Sequence, residues 1–285
     1  MRDADPRVVL GLHRARHERR LLTGALDLGI TALDTSFNYL GFRSHEVLAC
    51  VAADLLPQFT LSTKVGYFPG ADRAEHSLAP ARLHVAVEQA VKDLGREPDL
   101  VFLHNPEHTL TGAASHDRYA LAQACAALSV AAAKGLCGAW GVASWDPAPL
   151  VDLVDAALPQ PSVLMVRAGL LVGARTLDAA DAVAAAWGLG GDRVWGMSPF
   201  GGSTRAPVWD RINPGVFLRG GNRLTRAQAA FRAAYDLPKV STIAVGTNDP
   251  AHLGELIGAL ASQVDEQAVR EYRDLIRPRS RDQPA

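Results

Sequence analysis

The sequence predicts a (β/α)8 barrel, the α/β fold in which eight parallel strands close into a cylinder surrounded by helices. Short runs rich in Val, Ile, Leu, Phe or Trp alternate with longer amphipathic stretches, and eight such runs occur in 285 residues. Strict alternation favours parallel pairing through crossover connections, and these barrels typically need about 250 residues. A doubly wound open sheet is the alternative, because periodicity does not distinguish a closed sheet from an open one.

The strand candidates are short and mostly continuous in apolar character, which is typical of strands buried on both faces. They cover residues 7–12, 31–35, 59–64, 99–104, 138–143, 162–167, 193–198 and 241–246. No Gly-x-Gly-x-x-Gly motif follows the first of them. The sequence therefore lacks the dinucleotide fingerprint of a Rossmann sheet.

The intervening stretches carry apolar residues at helical spacing. Thr225 and Asp249 are candidate N-caps, and Gly29, Gly95 and Gly135 stand where helices are expected to end. Helices are predicted at 16–28, 79–94, 120–134, 147–157, 177–187, 225–235 and 250–261, with an extra outer helix near 265–276.

The domain organisation follows from the even composition of the chain, which predicts one barrel domain over residues 1–276. Residues 198–224 form an unusually long loop after the seventh strand, expected to lie over the barrel mouth. Loops of this length in compact domains are usually functional or mobile. Residues 277–285 are polar and broken by proline, which predicts a flexible C-terminal tail.

Charge and cysteine content exclude several classes of partner. The formal net charge is −1, so nothing attracts nucleic acid or an anionic membrane at long range, and neither is predicted as a partner. Cys50, Cys125 and Cys137 match no metal or redox spacing, which favours a reduced, cytoplasmic location. No apolar signal segment begins the sequence, and no apolar run approaches the roughly 20 residues that span a bilayer. A monomer is the default expectation.

Ionisable side chains stand at the exits of three neighbouring strands. Asp34, Lys64 and His104 each follow an apolar run, and Tyr39 lies five residues beyond Asp34. Chemistry in such barrels sits at the carboxyl ends of the strands. A single Asp, Lys or His at such a position is more often a cap or a solvated charge. The four together predict one converging catalytic site.

The residue types in this set match proton transfer to a carbonyl oxygen. A phenol has a pKa near 10, an adjacent ammonium stabilises its phenolate, and a carboxylate fixes that ammonium. Tyr39 would then exchange a proton with the substrate oxygen. A neutral His104 would hydrogen-bond the same oxygen.

The motifs around these residues resemble the aldo-keto reductase family, in the form of its aldose-dehydrogenase-like members. The resemblance lies in Asp34-Thr35 followed by Tyr39, in Arg43-Ser44-His45-Glu46, in Leu61-Ser62-Thr63-Lys64, and in the strand Asp99-Leu100-Val101-Phe102-Leu103-His104. It extends from about residue 8 to 260 and is weaker in the second half. It implies a barrel, a Tyr/Lys/Asp/His tetrad, and NADP(H) or NAD(H) bound without a Rossmann domain.

The resemblance also implies where the cofactor would bind, and there the sequence departs from the family. Ala143 and Met165 stand where polar carboxamide ligands are common, which leaves only Ser144, and Asn248 replaces a common arginine or lysine at the 2′-phosphate. Asp249 adds negative charge beside it. The candidate cofactor-binding residues are Ser144, Met165, Ser198, Phe200, Gly201, Thr247, Asn248 and Glu255.

Three functions remain open from these residues. The first is an NAD(P)H-dependent reductase of a small-molecule carbonyl, or the reverse alcohol dehydrogenase. The second is a cofactor-independent dehydratase, lyase or isomerase that uses the same tetrad on a carbonyl or imine. The third is a non-catalytic binding or regulatory subunit, against which four catalytic residue types argue. No metal site is predicted, because Pro106 between His104 and His108 makes a shared helix face unfavourable.

Overall fold

The computed structural model describes residues 7–220 and 223–277. Eight parallel strands close into a barrel, which confirms the predicted (β/α)8 fold. Every predicted barrel strand is present, with both ends within one residue of the expected position. The barrel strands are β1 (Arg7–Gly11), β2 (Ala32–Asp34), β3 (Thr60–Val65), β6 (Leu100–His104), β7 (Ala139–Ser144), β8 (Val163–Arg167), β9 (Val194–Met197) and β10 (Thr242–Val245).

The ring closes where the first strand pairs with the last. Leu10 of β1 is in register with Val245 of β10 on one side and with Leu33 of β2 on the other. Because all eight strands run in the same direction, their carboxyl ends meet at one mouth of the barrel. The polar residues at the carboxyl ends of β2, β3 and β6 are therefore brought to the same end of the barrel.

In the part of the chain that the structure describes, eight α-helices surround the barrel. Thr225 caps α6 through a capping box with Gln228, and Asp249 caps α7 by accepting a hydrogen bond from the Ala251 N–H, as predicted. Gly95 ends α3 in the left-handed conformation that glycine adopts without strain. The helices are α1 (Arg19–Asp27), α2 (Ser44–Ala52), α3 (Pro80–Leu94), α4 (Ala114–Ala133), α5 (Ala174–Ala186), α6 (Arg226–Ala233), α7 (Pro250–Ala259) and α8 (Glu266–Ile276).

Two local features differ from the sequence-based expectation. The predicted helix at 147–157 is wrong, because only a 3₁₀ turn at Ala148–Leu150 forms there. The Leu153 carbonyl oxygen accepts from the Arg118 guanidinium and the Ala157 N–H donates to the Asp155 carboxylate, so side chains bind backbone groups that a regular helix would use. A two-stranded antiparallel hairpin, β4 (Tyr67–Phe68) and β5 (Glu75–His76), was not predicted and follows β3 directly.

The first residues of the long loop after β9 lie at the barrel mouth, as predicted, and the loop beyond them packs against α6 and α8. It contains two 3₁₀ helices, Pro207–Asp210 and Pro214–Phe217. Trp209 and Phe217 are buried in a separate apolar cluster with residues from α6 and α8. The Tyr272 hydroxyl of α8 donates to the Leu170 carbonyl oxygen in the loop after β8. The contacts with α6 and α8 thus hold the described part of this loop in place.

The end of the chain is described as far as Arg277. Its guanidinium pairs with Asp178 of α5 and Asp274 of α8. The remainder of the predicted flexible tail, 278–285, lies outside the described residues. Within the described ranges, no helix combines the length and the apolar character needed to span a bilayer.

Candidate active site

A cavity of about 610 Å³ opens at the carboxyl ends of the barrel strands. Its lining comes from the ends of β1, β2, β3, β6, β8, β9 and β10 and from the loops that follow them. The barrel interior beneath it is filled by buried residues that include Phe102, Met165 and Ala244. The four predicted catalytic residues line this cavity: Asp34, Tyr39, Lys64 and His104.

Lys64 is held in a buried ion pair. Its side chain is 2% exposed, and its Nζ donates to Asp34 Oδ2 and to the Thr35 carbonyl oxygen at 2.9 Å. The other carboxylate oxygen of Asp34 accepts a hydrogen bond from the Ser62 hydroxyl at 2.8 Å. Burial by itself would lower the pKa of Lys64, but Asp34 and Tyr39 together hold that pKa above its ordinary value. Lys64 is therefore an ammonium at neutral pH.

Tyr39 lies beside this ammonium. Lys64 Nζ is 5.4 Å from the centre of the phenol ring. Burial raises the pKa of Tyr39 above its ordinary value, and Asp34 raises it further, while Lys64 opposes both. In the structure, burial outweighs Lys64 in its effect on the pKa of Tyr39, whereas the sequence-based expectation considers only the effect of the lysine. Tyr39 is thus a neutral phenol poised to donate a proton.

His104 completes the group from β6. Its ring lies edge-on to Tyr39 with centroids 6.4 Å apart, and its Nδ1 is 3.1 Å from the Ser36 hydroxyl. Burial, followed by the charge of Lys64, lowers the pKa of His104 well below its ordinary value. A neutral imidazole has one donor and one acceptor nitrogen. His104 can therefore donate to a carbonyl oxygen or accept from an alcohol.

A buried hydroxyl network supports the loops beneath the site. His17 is 1% exposed; its Nδ1 is 2.9 Å from the Ala15 carbonyl oxygen and its Nε2 is 2.6 Å from the Ser44 hydroxyl. The Ser44 hydroxyl is also 2.5 Å from that of Thr35, whose carbonyl oxygen accepts from Lys64. The network thus ties α2 and the loop after β1 to the residue that holds the lysine.

Five of the eight predicted cofactor-binding residues line the cavity. They are Met165, Ser198, Phe200, Thr247 and Asn248. The other three lie outside its lining. Ser144 is fully buried, Gly201 packs beside Leu171, and Glu255 is exposed on α7 with its carbonyl oxygen accepting from Gln228.

Several lining residues were not assigned to the site from the sequence. Arg14 brings a cation to the rim, and His13 stacks edge-on against Tyr39 with centroids 5.1 Å apart. Tyr67 and Asn105 line the cavity as well. The sequence signal for Asn105 is its position directly after His104, where the strand-exit rule applies.

The aldo/keto reductase family model matches residues 13–204, about two thirds of the chain. Solved structures with the same fold include an aldo-keto reductase from Pseudomonas aeruginosa, with 24% identity, coverage of 89% of each chain and a TM-score of 0.63. No curated protein sequence matches this chain significantly.

Two further structures cover nearly all of the chain. A holo-form aldo-keto reductase from Bacillus halodurans has 17% identity and a TM-score of 0.73, covering 98% of this chain and 96% of that one. An aldo-keto reductase from Klebsiella pneumoniae in complex with NADPH has 17% identity and a TM-score of 0.69, covering 98% and 93%. At these identities the likeness establishes the fold.

Proposed function

Because the chain belongs to the aldo/keto reductase family, we propose that this oxidoreductase interconverts a small-molecule carbonyl compound and its alcohol with a nicotinamide cofactor. The observation that carries the proposal is the convergence of Tyr39, Lys64, Asp34 and His104 at the floor of one cavity. Each of the four has the protonation state or contact that carbonyl reduction requires.

The proposed roles follow from the contacts. Tyr39 donates its phenolic proton to the substrate oxygen as negative charge develops there. Lys64 stabilises the resulting phenolate, and Asp34 keeps the ammonium in place, so that the positive charge does not have to reorganise during the step. His104 hydrogen-bonds the same oxygen and orients the carbonyl. In the reverse direction the phenolate accepts the alcohol proton.

The size and shape of the cavity suit a nicotinamide cofactor, but the cavity offers few polar side chains to bind it. It extends from the tetrad past Met197–Phe200 and Ala244–Val245 to Asn248, and its volume lies within the range of ligand pockets. Phe200 would offer a face for the nicotinamide ring, and Ser198, Thr247 and Asn248 would contact the rest. The cofactor, when bound, supplies or accepts the hydride.

The carboxamide end is where the fit is poorest. Met165 forms the wall after β8, and Ala143 is buried. The Ser144 hydroxyl is buried and has no hydrogen-bond partner among the described residues. Burial raises the pKa of the Glu107 carboxylate, and the nearby Ser144 hydroxyl opposes that rise. This apolar wall favours one second candidate, a cofactor-independent lyase or isomerase that uses Tyr39 and Lys64 to move a proton beside a carbonyl or imine.

A titration of the purified protein with NADPH and with NADH separates the two candidates. The oxidoreductase proposal predicts saturable binding of at least one of them at micromolar concentration, detected by nicotinamide fluorescence and by calorimetry. Phe200→Ala, which removes the aromatic face, should weaken that binding, whereas Val216→Ala on the exposed part of the same loop should not. No binding of either cofactor at high micromolar concentration would favour the lyase or isomerase.

A further inference from the structure

A second tyrosine faces the cavity from outside the tetrad. Tyr67 belongs to the hairpin strand β4, which follows the lysine strand directly. Its ring packs edge-on against His104, with centroids 4.9 Å apart, and against His76 at 4.8 Å. The ring of Tyr67 is therefore fixed beside the histidine that is proposed to orient the substrate carbonyl.

His76 anchors this arrangement to the barrel. Its Nε2 donates to the His104 carbonyl oxygen at 2.7 Å, and its Nδ1 accepts from the Thr109 hydroxyl. The contact with the carbonyl oxygen requires a proton on Nε2, and the neutral ring then accepts from the Thr109 hydroxyl through Nδ1. Burial lowers the pKa of His76, which is consistent with that form. The hairpin is thus locked to the backbone of β6.

The hydroxyl of Tyr67 has one hydrogen-bonding position left. Asn105 Nδ2 donates to it at 3.2 Å, and with the His108 proton on Nε2 the phenol donates its own proton to His108 Nδ1 at 2.5 Å. A hydroxyl has one donor and two acceptor positions, so one lone pair of Tyr67 is unused. Asn105 Oδ1 is also buried without a partner among the described residues. Both side chains line the cavity.

The free acceptor position of the Tyr67 hydroxyl, at the wall of the cavity, can take a proton from the ligand. A site that hydrogen-bonds a substrate hydroxyl discriminates against the analogue that lacks it. Within the described ranges, no Lys or Arg side chain lies over the Tyr67 ring, whereas Lys64 lies over the ring of Tyr39. Burial raises the pKa of Tyr67, so its hydroxyl stays neutral and acts as a binding group.

We propose that Tyr67 and Asn105 form a specificity site that binds a neutral hydrogen-bond donor, such as a hydroxyl group, on the substrate beyond its reacting carbonyl. His108 is a positioning residue, because it takes the Tyr67 proton and leaves the lone pair for the substrate. The inference rests on the proposed function, in which Tyr39 and His104 hold the carbonyl oxygen.

The test compares aldehydes that differ by one hydroxyl. The probes are 2-hydroxypropanal against propanal and 3-hydroxybutanal against butanal, with NADPH and NADH each supplied in excess. The wild-type protein should favour the hydroxylated member of at least one pair in kcat/KM. Tyr67→Phe should lower kcat/KM for that member about three- to tenfold relative to the plain aldehyde. Tyr119→Phe, which removes an exposed hydroxyl on α4, is the matched control.

A coupling measurement tests the role of His108. His108→Leu should reduce the preference for the hydroxylated aldehyde. Without His108 to accept it, the Tyr67 proton can point toward the substrate hydroxyl and occupy the position that the substrate proton needs. In the Tyr67→Phe background the same substitution should have no further effect on that preference. Additive effects of the two substitutions would assign His108 a role independent of Tyr67.

A binding measurement makes the inference independent of turnover. Saturation-transfer NMR compares 1,2-propanediol with 1-propanol and 1,3-butanediol with 1-butanol on the same variants. If no aldehyde is reduced but a diol binds in preference and loses that preference in Tyr67→Phe, the specificity site stands and the proposed function fails. If plain and hydroxylated aldehydes react equally and the diols bind no better, the specificity site is overturned while the proposed function stands.

Discussion

The main-chain N–H of Arg16 donates to Asn248 Oδ1 at 3.0 Å and joins the loop after β1 to the loop after β10. The neighbouring Asp249 carboxylate accepts from the Ala251 N–H and caps α7. A helix N-terminus ordinarily attracts a phosphate, but here a carboxylate already occupies that position. The N-terminus of α7 beside Asn248 is therefore already paired with a negative group.

Asn248→Arg is expected to shift cofactor preference toward NADPH. The family resemblance puts the 2′-phosphate of NADPH at this position, and a guanidinium would add a charge-assisted hydrogen bond to it. The dissociation constant for NADPH should fall about tenfold relative to that for NADH, measured by calorimetry. Asn248→Gln is the neutral control. Equal changes for both cofactors would show that the 2′-phosphate lies elsewhere.

Tyr39→Phe is expected to lower kcat for carbonyl reduction by about 10²- to 10⁴-fold, because the substitution removes the general acid. The Kd of the cofactor and the Tm should stay close to the wild-type values, because only the hydroxyl is lost. Tyr119→Phe controls for the loss of a tyrosine hydroxyl at the surface. A variant that retains more than a tenth of the wild-type kcat would remove Tyr39 from the role of acid.

The two reaction directions should respond oppositely to alkaline pH. Reduction needs the neutral phenol of Tyr39, whose pKa burial raises above its ordinary value of about 10. The reduction rate should therefore stay level through neutral pH and fall only above about pH 10, while alcohol oxidation, which needs the phenolate, should rise with pH. The profiles of kcat for both directions test this. A fall in reduction between pH 7 and 9 would contradict it.

Acid should destabilise the fold through His45, which is 2% exposed and 2.7 Å from the Thr63 hydroxyl. Burial lowers the pKa of His45 to about 4, from 6.5 in the unfolded chain. The unfolded state therefore binds more protons between these values, and stability is lost as the pH falls below 6.5. The His45 contribution to the free energy of unfolding should decrease by about 2–3 kcal/mol between pH 7 and pH 4.

Urea titrations at several pH values measure this contribution. His45→Gln, which retains a group able to bond Thr63, should flatten the pH dependence relative to wild type. His116→Gln on the exposed start of α4 should leave it unchanged. An identical slope for His45→Gln and wild type would show that another buried group controls acid stability.

The sequence predicted the barrel and the meeting of Asp34, Lys64 and His104 because both follow from short-range patterns. Buried strands have a readable apolar signature, and parallel strands bring their carboxyl ends together wherever the chain connects them. Tyr39 was found by its spacing from Asp34. These inferences need no knowledge of side-chain packing.

The contacts around Tyr67 could not be predicted from the sequence, because they depend on side-chain packing. Its two hairpin strands are two residues long, too short for any periodic signal, and the contacts of Tyr67 with Asn105 and His108 join side chains 38 and 41 residues apart. The pKa of Tyr39 was also not predictable. It depends on how far burial outweighs Lys64, and burial is a property of the folded chain.

The apolar cluster beneath the loop after β9 has a consequence for the order in which the protein is built. Val269 and Tyr272 of α8 pack under the segment that carries Phe200 into the cavity wall, although α8 follows all eight barrel strands in the chain. A ribosome-bound chain could close its barrel while this helix is still in the exit tunnel. The binding wall would then be completed only when α8 emerges and docks, so that ligand-binding competence comes after barrel closure during synthesis.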